Sequence, residues 1–323
     1  MKVVHLVLSN AFAGIEQHVD ELLSNKLNDK PILICNDSIA DCFDKSISIY
    51  KIKNIGRRSL YGKYKLKKLL NKINPDIVHT HGSKTSSIIS SINNNRFKHV
   101  ATVHGIKKNK KVYEKADFII GVSQKTINGL KNNVAVVTNW WNPSLNKIDH
   151  KKNEYALAIG RLEKVKGFDL LINSWANINT KLVIIGSGKE KNTLTNMINT
   201  KGLNEKVTII DNVQKNELIN YYRNAKLLII SSRDEGGPRV ALEALYLEIP
   251  VLSTDVGHMS KLLPKEMLAN TNDLISLQTL LERYVDKIDT INQDAVYEFI
   301  TKDFSIDEKI SEIRDIYKSL LIS

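Results

Sequence analysis

Two glutamates, Glu235 and Glu243, stand eight positions apart in the stretch RDEGGPRVALEALYLEIPVLSTDVG. The apolar run KLLIISS before it predicts a strand, and Pro238 stands where a helix would begin. Gly236 and Gly237 let the backbone approach a ligand closely, and the N–H groups of a helix start attract phosphate. At the helical rise the two carboxylates would lie at most ~12 Å apart, the order of length of a nucleotide-sugar. The alternative is an ordinary turn with two solvated acids, and the spacing alone does not decide between them.

Two cations follow another predicted strand end. Arg161 and Lys166 lie in AIGRLEKVKGFDLL, just after the apolar run YALAIG. A guanidinium and an ammonium group beside a helix start suit a diphosphate. Taken alone, the same two residues would more often be surface cations.

Histidines lie at the ends of two further predicted strands. His104 in ATVHG could exchange protons with a substrate or donate a hydrogen bond to a sugar hydroxyl. The same chemistry is open, more weakly, to His79 and His81 in HTHG. That pair could also bind a metal, but no nearby carboxylate or cysteine cluster completes a zinc-like ligand set. Gly14, in the loop after the first predicted strand, would let a helix start approach a phosphate.

Three familiar metal-binding and phosphate-binding motifs are missing from the sequence. No two aspartates are separated by a single residue, so the Asp-x-Asp pair that holds a divalent metal in many sugar-nucleotide enzymes is missing. The segment IGSGKEKN lacks the glycine spacing and the Ser or Thr of a P-loop, and it lacks a third glycine for a dinucleotide fingerprint. We therefore expect no metal and no cofactor.

The elements that must position these residues alternate between strands and helices. About six short β-branched runs precede residue 140 and five follow residue 155. They show no alternation, as is typical of strands buried on both faces of a parallel sheet. Between them lie helical stripes, such as the one formed by Tyr61, Leu66, Leu69, Leu70 and Ile73. This pattern predicts an α/β fold with two doubly wound sheets, joined by a hinge within residues 140–153.

Composition is that of an ordinary globular chain. Its 323 residues are 42% hydrophobic and 25% charged. No apolar run reaches the ~18 residues that a membrane span needs, and the first residues lack the pattern of a secretion signal. We therefore expect a cytoplasmic protein.

The positive charge is concentrated in the first half. The net charge is +12, and residues 1–150 carry 24 Lys and Arg against 11 Asp and Glu. Between Asp44 and Asp76 there is no acid, and residues 51–72 of that window carry nine cations. This asymmetry indicates an anionic partner: a membrane surface, a nucleic acid or an acidic substrate. No nucleic-acid recognition motif accompanies the charge, so we expect an anionic membrane surface. The residues predicted to face it are Arg57, Arg58, Lys63, Lys65, Lys67 and Lys68.

In combination these motifs resemble the retaining GT-B glycosyltransferases of glycosyltransferase family 4, over the whole length of the chain. Glu235 and Glu243 match the E-x7-E motif of the family, and Arg161 and Lys166 match its GR…KG motif. ATVHG matches the catalytic-histidine region, and AGIE, which contains Gly14, matches the first-loop glycine motif.

The resemblance implies two Rossmann-like domains facing a cleft. We expect an acceptor-binding and membrane-facing domain at 1–148 and a nucleotide-sugar-binding domain at 149–303. The helix at 304–323 would pack back onto the first domain.

The resemblance also assigns roles to the site residues. Arg161 and Lys166 would neutralise the leaving diphosphate, Glu235 would hold the donor sugar, and Glu243 would hold the ribose. His104 would contact the donor sugar. Backbone groups would line the sugar–phosphate pocket along Gly236, Gly237, Pro238, Arg239 and Val240.

The function expected from this assignment is transfer of a hexosyl unit, with retention of configuration, from a nucleotide-sugar such as a UDP-sugar. The acceptor would be a lipid-linked saccharide or surface polysaccharide at the cytoplasmic membrane face. One alternative is a nucleotide-sugar epimerase, which needs an acid and base set that the sequence does not show. The other is a two-lobed sugar-binding protein without catalysis, a class that is usually exported.

Overall fold

The computed structural model describes residues 1–25, 27, 30–106, 109–131, 133–148 and 154–322, without the side chains of residues 215, 216 and 289. It divides into two compact units, Met1–Asn139 with Ile306–Ser323, and Trp140–Ser305. The structure therefore draws the division nine residues before the predicted boundary at 148. The physical reason is that Trp141, Leu145 and Ile148 already pack against the core of the second unit.

The first unit is built on a parallel sheet of seven strands in the order β3-β2-β1-β4-β5-β6-β7. Its strands are β1 (Val3–Val7), β2 (Ile32–Asn36), β3 (Ser48–Ile52), β4 (Ile77–His81), β5 (Lys98–Val103), β6 (Phe118–Gly121) and β7 (Val134–Val136). Its helices are α1 (Gly14–Ser24), α2 (Leu60–Ile73), α3 (Ser83–Ile92), α4 (Gln124–Ile127) and, at the end of the chain, α12 (Ile306–Ile322).

Helix α2 begins where the Ser59 side chain accepts a hydrogen bond from the Gly62 amide, an N-cap that satisfies one helix-start donor. It buries Leu66, Leu70 and Ile73 against the sheet. Tyr61, which the sequence placed in the same apolar stripe, is 68% exposed, so that part of the prediction is wrong. Tyr61 lies in the first turn of the helix, before the turns whose apolar side chains are buried against the sheet.

The second unit is built on a parallel sheet of six strands in the order β10-β9-β8-β11-β12-β13. Its strands are β8 (Tyr155–Ile159), β9 (Lys181–Ile185), β10 (Val207–Ile210), β11 (Ala225–Ile230), β12 (Val251–Thr254) and β13 (Leu268–Ala269). Its helices are α5 (Phe168–Asn173), α6 (Lys191–Thr200), α7 (Lys215–Asn224), α8 (Arg239–Tyr246), α9 (Met259–Leu262), α10 (Leu274–Tyr284) and α11 (Asp294–Asp303).

Both sheets reverse their winding direction beside their first strand. In the first unit the chain winds outward from β1 through β2 to β3 and then returns to β4 on the other side of β1. In the second unit β11 returns beside β8 in the same way. Ligands of open α/β sheets bind at the carboxyl ends of the strands at such a reversal, so each unit has one favoured edge for a site.

No helix among the described residues combines the length and the apolar character needed to cross a bilayer.

Candidate functional site

Lys166 and Glu235 meet at the reversal point of the second sheet. Lys166 follows β8 and Glu235 follows β11, and these two strands are neighbours. The Lys166 ammonium donates to Oε1 of Glu235, which also accepts a hydrogen bond of 3.0 Å from the Ser232 hydroxyl. Both charged side chains are mostly buried, at 19% and 16% exposed. The structure thus joins the residue predicted for the diphosphate to the residue predicted for the sugar.

A glycine allows the two loops to approach this closely. Gly167 has a φ of +66°, and a Cβ there would lie 2.0 Å from the carbonyl oxygen of Ser231. The Ser231 hydroxyl donates to the carbonyl of Lys166 over 2.9 Å. Any other residue at position 167 would clash with the end of β11 and push Lys166 away from Glu235.

Arg233 holds the same junction, and the sequence analysis did not single it out. Its guanidinium makes two hydrogen bonds of 2.7 Å to the Asp169 carboxylate and one of 2.7 Å to the Lys164 carbonyl. Burial raises the pKa of Asp169, but the hydrogen bonds and charge of Arg233 outweigh it and hold that pKa below its ordinary value. Arg233 therefore clamps the turn that carries Lys166 to the loop that carries Glu235.

Helix α8 begins immediately after this loop. Pro238 takes the capping position and Arg239 is the first helical residue, one position later than predicted. The Arg239 guanidinium lies over the ring of Trp140, 5.9 Å from its centroid. The preceding Gly236 and Gly237 are packed by the loop after β12, where a Cβ on Gly257 would lie 3.0 Å from the Gly236 carbonyl oxygen.

Val240 and Glu243 continue α8. Val240 is half-buried and packs against the hydrophobic core of the second unit. Glu243 is buried, and its Oε2 accepts a hydrogen bond of 3.0 Å from the Tyr222 hydroxyl. Burial and the adjacent Glu243 carboxylate raise the pKa of Tyr222 well above its ordinary value, so this hydroxyl keeps its proton. Tyr222 thus orients the carboxylate that the sequence assigned to the ribose.

Arg161 stands apart from the buried pair. Its side chain is 67% exposed and forms a 2.7 Å ion pair with Glu163. Exposed pairs of this kind contribute about 0–1 kcal/mol, so an incoming anion could replace Glu163 at little cost.

His104 lies at the carboxyl edge of the first sheet, beside its reversal point. It follows β5, is half-buried, and its Nε2 lies 3.1 Å from Nδ1 of His81 at the end of β4. Ring contacts join these two histidines to others in a cluster formed by His5, His18, His79, His81 and His104. Two triplets within it, His5–His79–His81 and His18–His81–His104, place their ligand atoms within 4.8 Å of one another. Such triplets could also hold a metal, an alternative that the sequence raised for His79 and His81.

Gly14 is the first residue of α1, and a Cβ there would meet no described heavy atom within 4 Å. The start of α1 is instead held by Glu16. Its carboxylate accepts a hydrogen bond of 2.9 Å from the Ala13 amide and one of 2.5 Å from the Ser9 hydroxyl.

The six cations predicted to face a membrane lie on α2 or just before it. Arg57, Arg58, Lys65 and Lys68 are exposed, and Lys63 and Lys67 are half-buried. Three large apolar or aromatic side chains are exposed on the same helix: Leu60 (83%), Tyr61 (68%) and Tyr64 (65%). The sequence analysis gave the cations and missed these exposed neighbours.

Comparison with known proteins gives matches over both units. The family "Glycosyl transferase 4-like" matches residues 9–138, and the family "Glycosyl transferases group 1" matches residues 144–294. An uncharacterized glycosyltransferase of Methanocaldococcus jannaschii is 24% identical, with 95% of each chain covered. The Escherichia coli UDP-Gal:α-D-GlcNAc-diphosphoundecaprenol α-1,3-galactosyltransferase is also 24% identical, over 100% of this chain and 98% of its own.

Among solved structures, the Anabaena protein HepE in complex with UDP-glucose superposes with a TM-score of 0.84. It is 16% identical and covers 99% of this chain and 100% of its own. At this identity the likeness concerns the fold, two parallel sheets flanked by helices. Together with the two family matches, it shows that this chain belongs to the GT-B glycosyltransferases, with a pairing of family matches that is consistent with glycosyltransferase family 4.

Proposed function

We propose that this enzyme transfers a hexosyl unit from a UDP-sugar to a lipid-linked saccharide acceptor, with retention of anomeric configuration. The observation that carries the proposal is the contact between Lys166 and Glu235 at the reversal point of the second sheet, directly before the start of α8. A cation for phosphate, a carboxylate for sugar hydroxyls and a helix start lie together there. The UDP-glucose complex of HepE and the named activity of the E. coli relative support the choice of donor and acceptor.

In this proposal the diphosphate is neutralised by protein cations. Negative charge grows on the leaving phosphate during transfer, so cations aimed at it stabilise the transition state more than the ground state. Lys166 is held in place by the Gly167 turn and the Arg233 clamp. The exposed Arg161 can leave its partner Glu163, and the N–H groups at the start of α8 add the positive end of a helix dipole. We therefore propose that transfer requires no metal and no cofactor.

The carboxylates and His104 keep separate assignments. Glu235 holds the donor sugar, and the ion pair with Lys166 fixes its position before the donor arrives. Glu243 binds the ribose, and the hydrogen bond from the Tyr222 hydroxyl to Oε2 orients its carboxylate. His104 contacts the donor sugar.

The donor assignment is tested by a screen of nucleotide-sugars with and without a short lipid diphosphate saccharide as acceptor. We expect UDP-sugars to raise the melting temperature, because a ligand that binds only the folded state stabilises it by mass action. We also expect slow release of UDP without acceptor, and an α-linked product from an α-linked donor by NMR. Transfer that inverts the anomeric centre, or transfer from other nucleotides alone, would reject the proposal.

We further propose that α2 docks the enzyme on the inner face of the cytoplasmic membrane. Lys65 lies over the ring of Tyr61, 4.4 Å from its centroid, so one face of the helix carries both aromatic groups and cations. Exposed aromatic and aliphatic side chains favour the membrane interface, and each nearby cation adds about 1 kcal/mol on an anionic leaflet.

This docking is tested by co-sedimentation with vesicles. Wild type should bind anionic vesicles, bind neutral ones little, and be released by salt. Changing Lys63, Lys65, Lys67 and Lys68 to Gln should abolish binding. The matched control changes an equal number of exposed lysines in the second unit, Lys181, Lys201, Lys265 and Lys302. Equal loss of binding in both variants would show a general charge effect instead of a docking helix.

A further inference from the structure

The histidine cluster of the first unit contains a continuous chain of hydrogen bonds that ends at His104. Thr102 Oγ1 lies 2.7 Å from Nε2 of His79, and Nδ1 of His79 lies 2.5 Å from the Tyr317 hydroxyl. The same hydroxyl lies 3.3 Å from Nε2 of His5.

The chain continues through two more imidazoles. Nδ1 of His5 lies 3.0 Å from Nε2 of His81, and Nδ1 of His81 lies 3.1 Å from Nε2 of His104. Tyr317 belongs to α12, so the last helix of the protein contributes the central link of this hydrogen-bond chain. Every member except His104 is buried.

The imidazoles of this chain are neutral. Burial lowers the pKa of His5 and of His104 to about 3, and it lowers the pKa of His79 and His81 well below the ordinary value. Each member of the chain therefore carries a single polar hydrogen. Six members supply six hydrogens for five links, so one hydrogen must lie at an end of the chain.

The direction of donation is set at the buried end. If donation ran from His104 toward Thr102, His79 would donate to the Thr102 hydroxyl, and the hydrogen of that hydroxyl would need a different acceptor. Among the described residues, His79 is the partner recorded for this hydroxyl. If donation runs from Thr102 toward His104, every hydrogen inside the chain is used. An unsatisfied buried hydroxyl is costly enough to favour the second direction by roughly tenfold or more. His104 then accepts at Nε2 and carries its hydrogen on Nδ1.

We propose that Thr102, His79, Tyr317, His5 and His81 are positioning residues that fix His104 as the Nδ1–H tautomer. The half-buried His104 thereby carries a hydrogen-bond donor, and not a base, at Nδ1. This inference rests on the proposed function only where it assigns that donor to the sugar. The chain itself is independent of which substrate the enzyme uses.

The experiment is a long-range ¹H–¹⁵N correlation spectrum of histidine-labelled protein, which reports which ring nitrogen carries the hydrogen. His104 is assigned from the spectrum of His104→Gln. In wild type we expect Nδ1–H at His104. In Tyr317→Phe the central link is lost, and the Nε2–H form should rise to roughly half of the population because neither direction is then favoured.

Tyr113→Phe is the matched control, since Tyr113 is a buried tyrosine of the same unit that lies outside the chain. Thr102→Val interrupts the other end of the chain and keeps the proposal testable if Tyr317→Phe folds poorly. Turnover should fall in proportion to the Nδ1–H population, about twofold in Tyr317→Phe, and stay unchanged in Tyr113→Phe.

Three results would overturn the proposal. They are an Nε2–H tautomer at His104 in wild type, an unchanged tautomer in both Tyr317→Phe and Thr102→Val, and a tightly bound metal that shifts the His81 and His104 signals on removal with EDTA. A tautomer shift without a change in turnover would support the chain and remove His104 from the donor site, which separates this inference from the proposed function.

Discussion

The ion pair between Lys166 and Glu235 gives the sharpest test of the donor site by mutation. The two side chains are 19% and 16% exposed, so the burial of this ion pair is intermediate between that of a surface pair and that of a fully buried pair. Losing one partner costs about 0–1 kcal/mol at a surface and about 3–5 kcal/mol when the other charge stays buried. We therefore expect Lys166→Met or Glu235→Gln alone to lower the free energy of unfolding by about 1–3 kcal/mol.

The double variant Lys166→Met/Glu235→Gln should recover most of this stability, because neither charge is then left without its partner. Turnover should not recover. Each single variant and the double variant should lose roughly 10²–10³-fold in kcat, the range for one oriented electrostatic group. Lys191→Met is the matched control, since its ion pair with Asp211 lies in the same unit and its side chains are 42% and 67% exposed.

The assays are urea unfolding of wild type and the four variants, and release of UDP from a UDP-sugar by each of them. Additive losses of stability would show that the two side chains do not act as a pair. A double variant with normal turnover would show that the pair serves only the fold, and the reasoning about the donor site would be refuted.

Three further outcomes follow from the same site. Arg233→Met should lower stability by about 2–3 kcal/mol and kcat by roughly tenfold, while Arg223→Met, whose recorded bond is 3.4 Å long, should change neither. Because Arg233 lowers the pKa of Asp169 in the folded protein, the difference in stability between wild type and Arg233→Met should depend on pH. It should be full above the pKa of the unfolded carboxyl, near 3.8, and vanish as the pH falls through the lower pKa of the folded state. Unfolding of both proteins along an acid titration will show this. Glu243→Gln should weaken UDP affinity more than it lowers turnover at saturation, and Tyr222→Phe should do the same to a smaller extent. The measurements are the Kd for UDP and kcat, and an equal loss of both would reject the ribose assignment. Activity should survive EDTA, and an EDTA loss that Mn²⁺ or Mg²⁺ restores would contradict the metal-free proposal.

The strands could be predicted where they are buried on both faces. All eleven apolar runs contain a strand, because β-branched residues without alternation have few other places in a soluble fold. The strands β3 and β13 were missed. The first is an edge strand with a largely exposed sequence, SIYKI, and the second has two residues, so neither leaves an apolar run to detect.

The site could be predicted as separate loops but not as contacts. Sequence spacing placed Lys166 and Glu235 after strands, yet no local rule pairs residues 69 positions apart. Arg233 was missed for the same reason, since its partner Asp169 is 64 positions away. Tyr317 lies 312 positions from His5, and only the folded sheet and the last helix bring them together.

The central claim is that the edge formed by β8 and β11 holds the diphosphate of the donor. Calorimetric titration of UDP into wild type, Lys166→Met and Lys191→Met tests it directly, without acceptor or turnover. We expect Lys191→Met to match wild type and Lys166→Met to bind UDP about 10–100-fold more weakly, the worth of one charge-assisted contact. Equal UDP affinity in wild type and Lys166→Met would contradict the account.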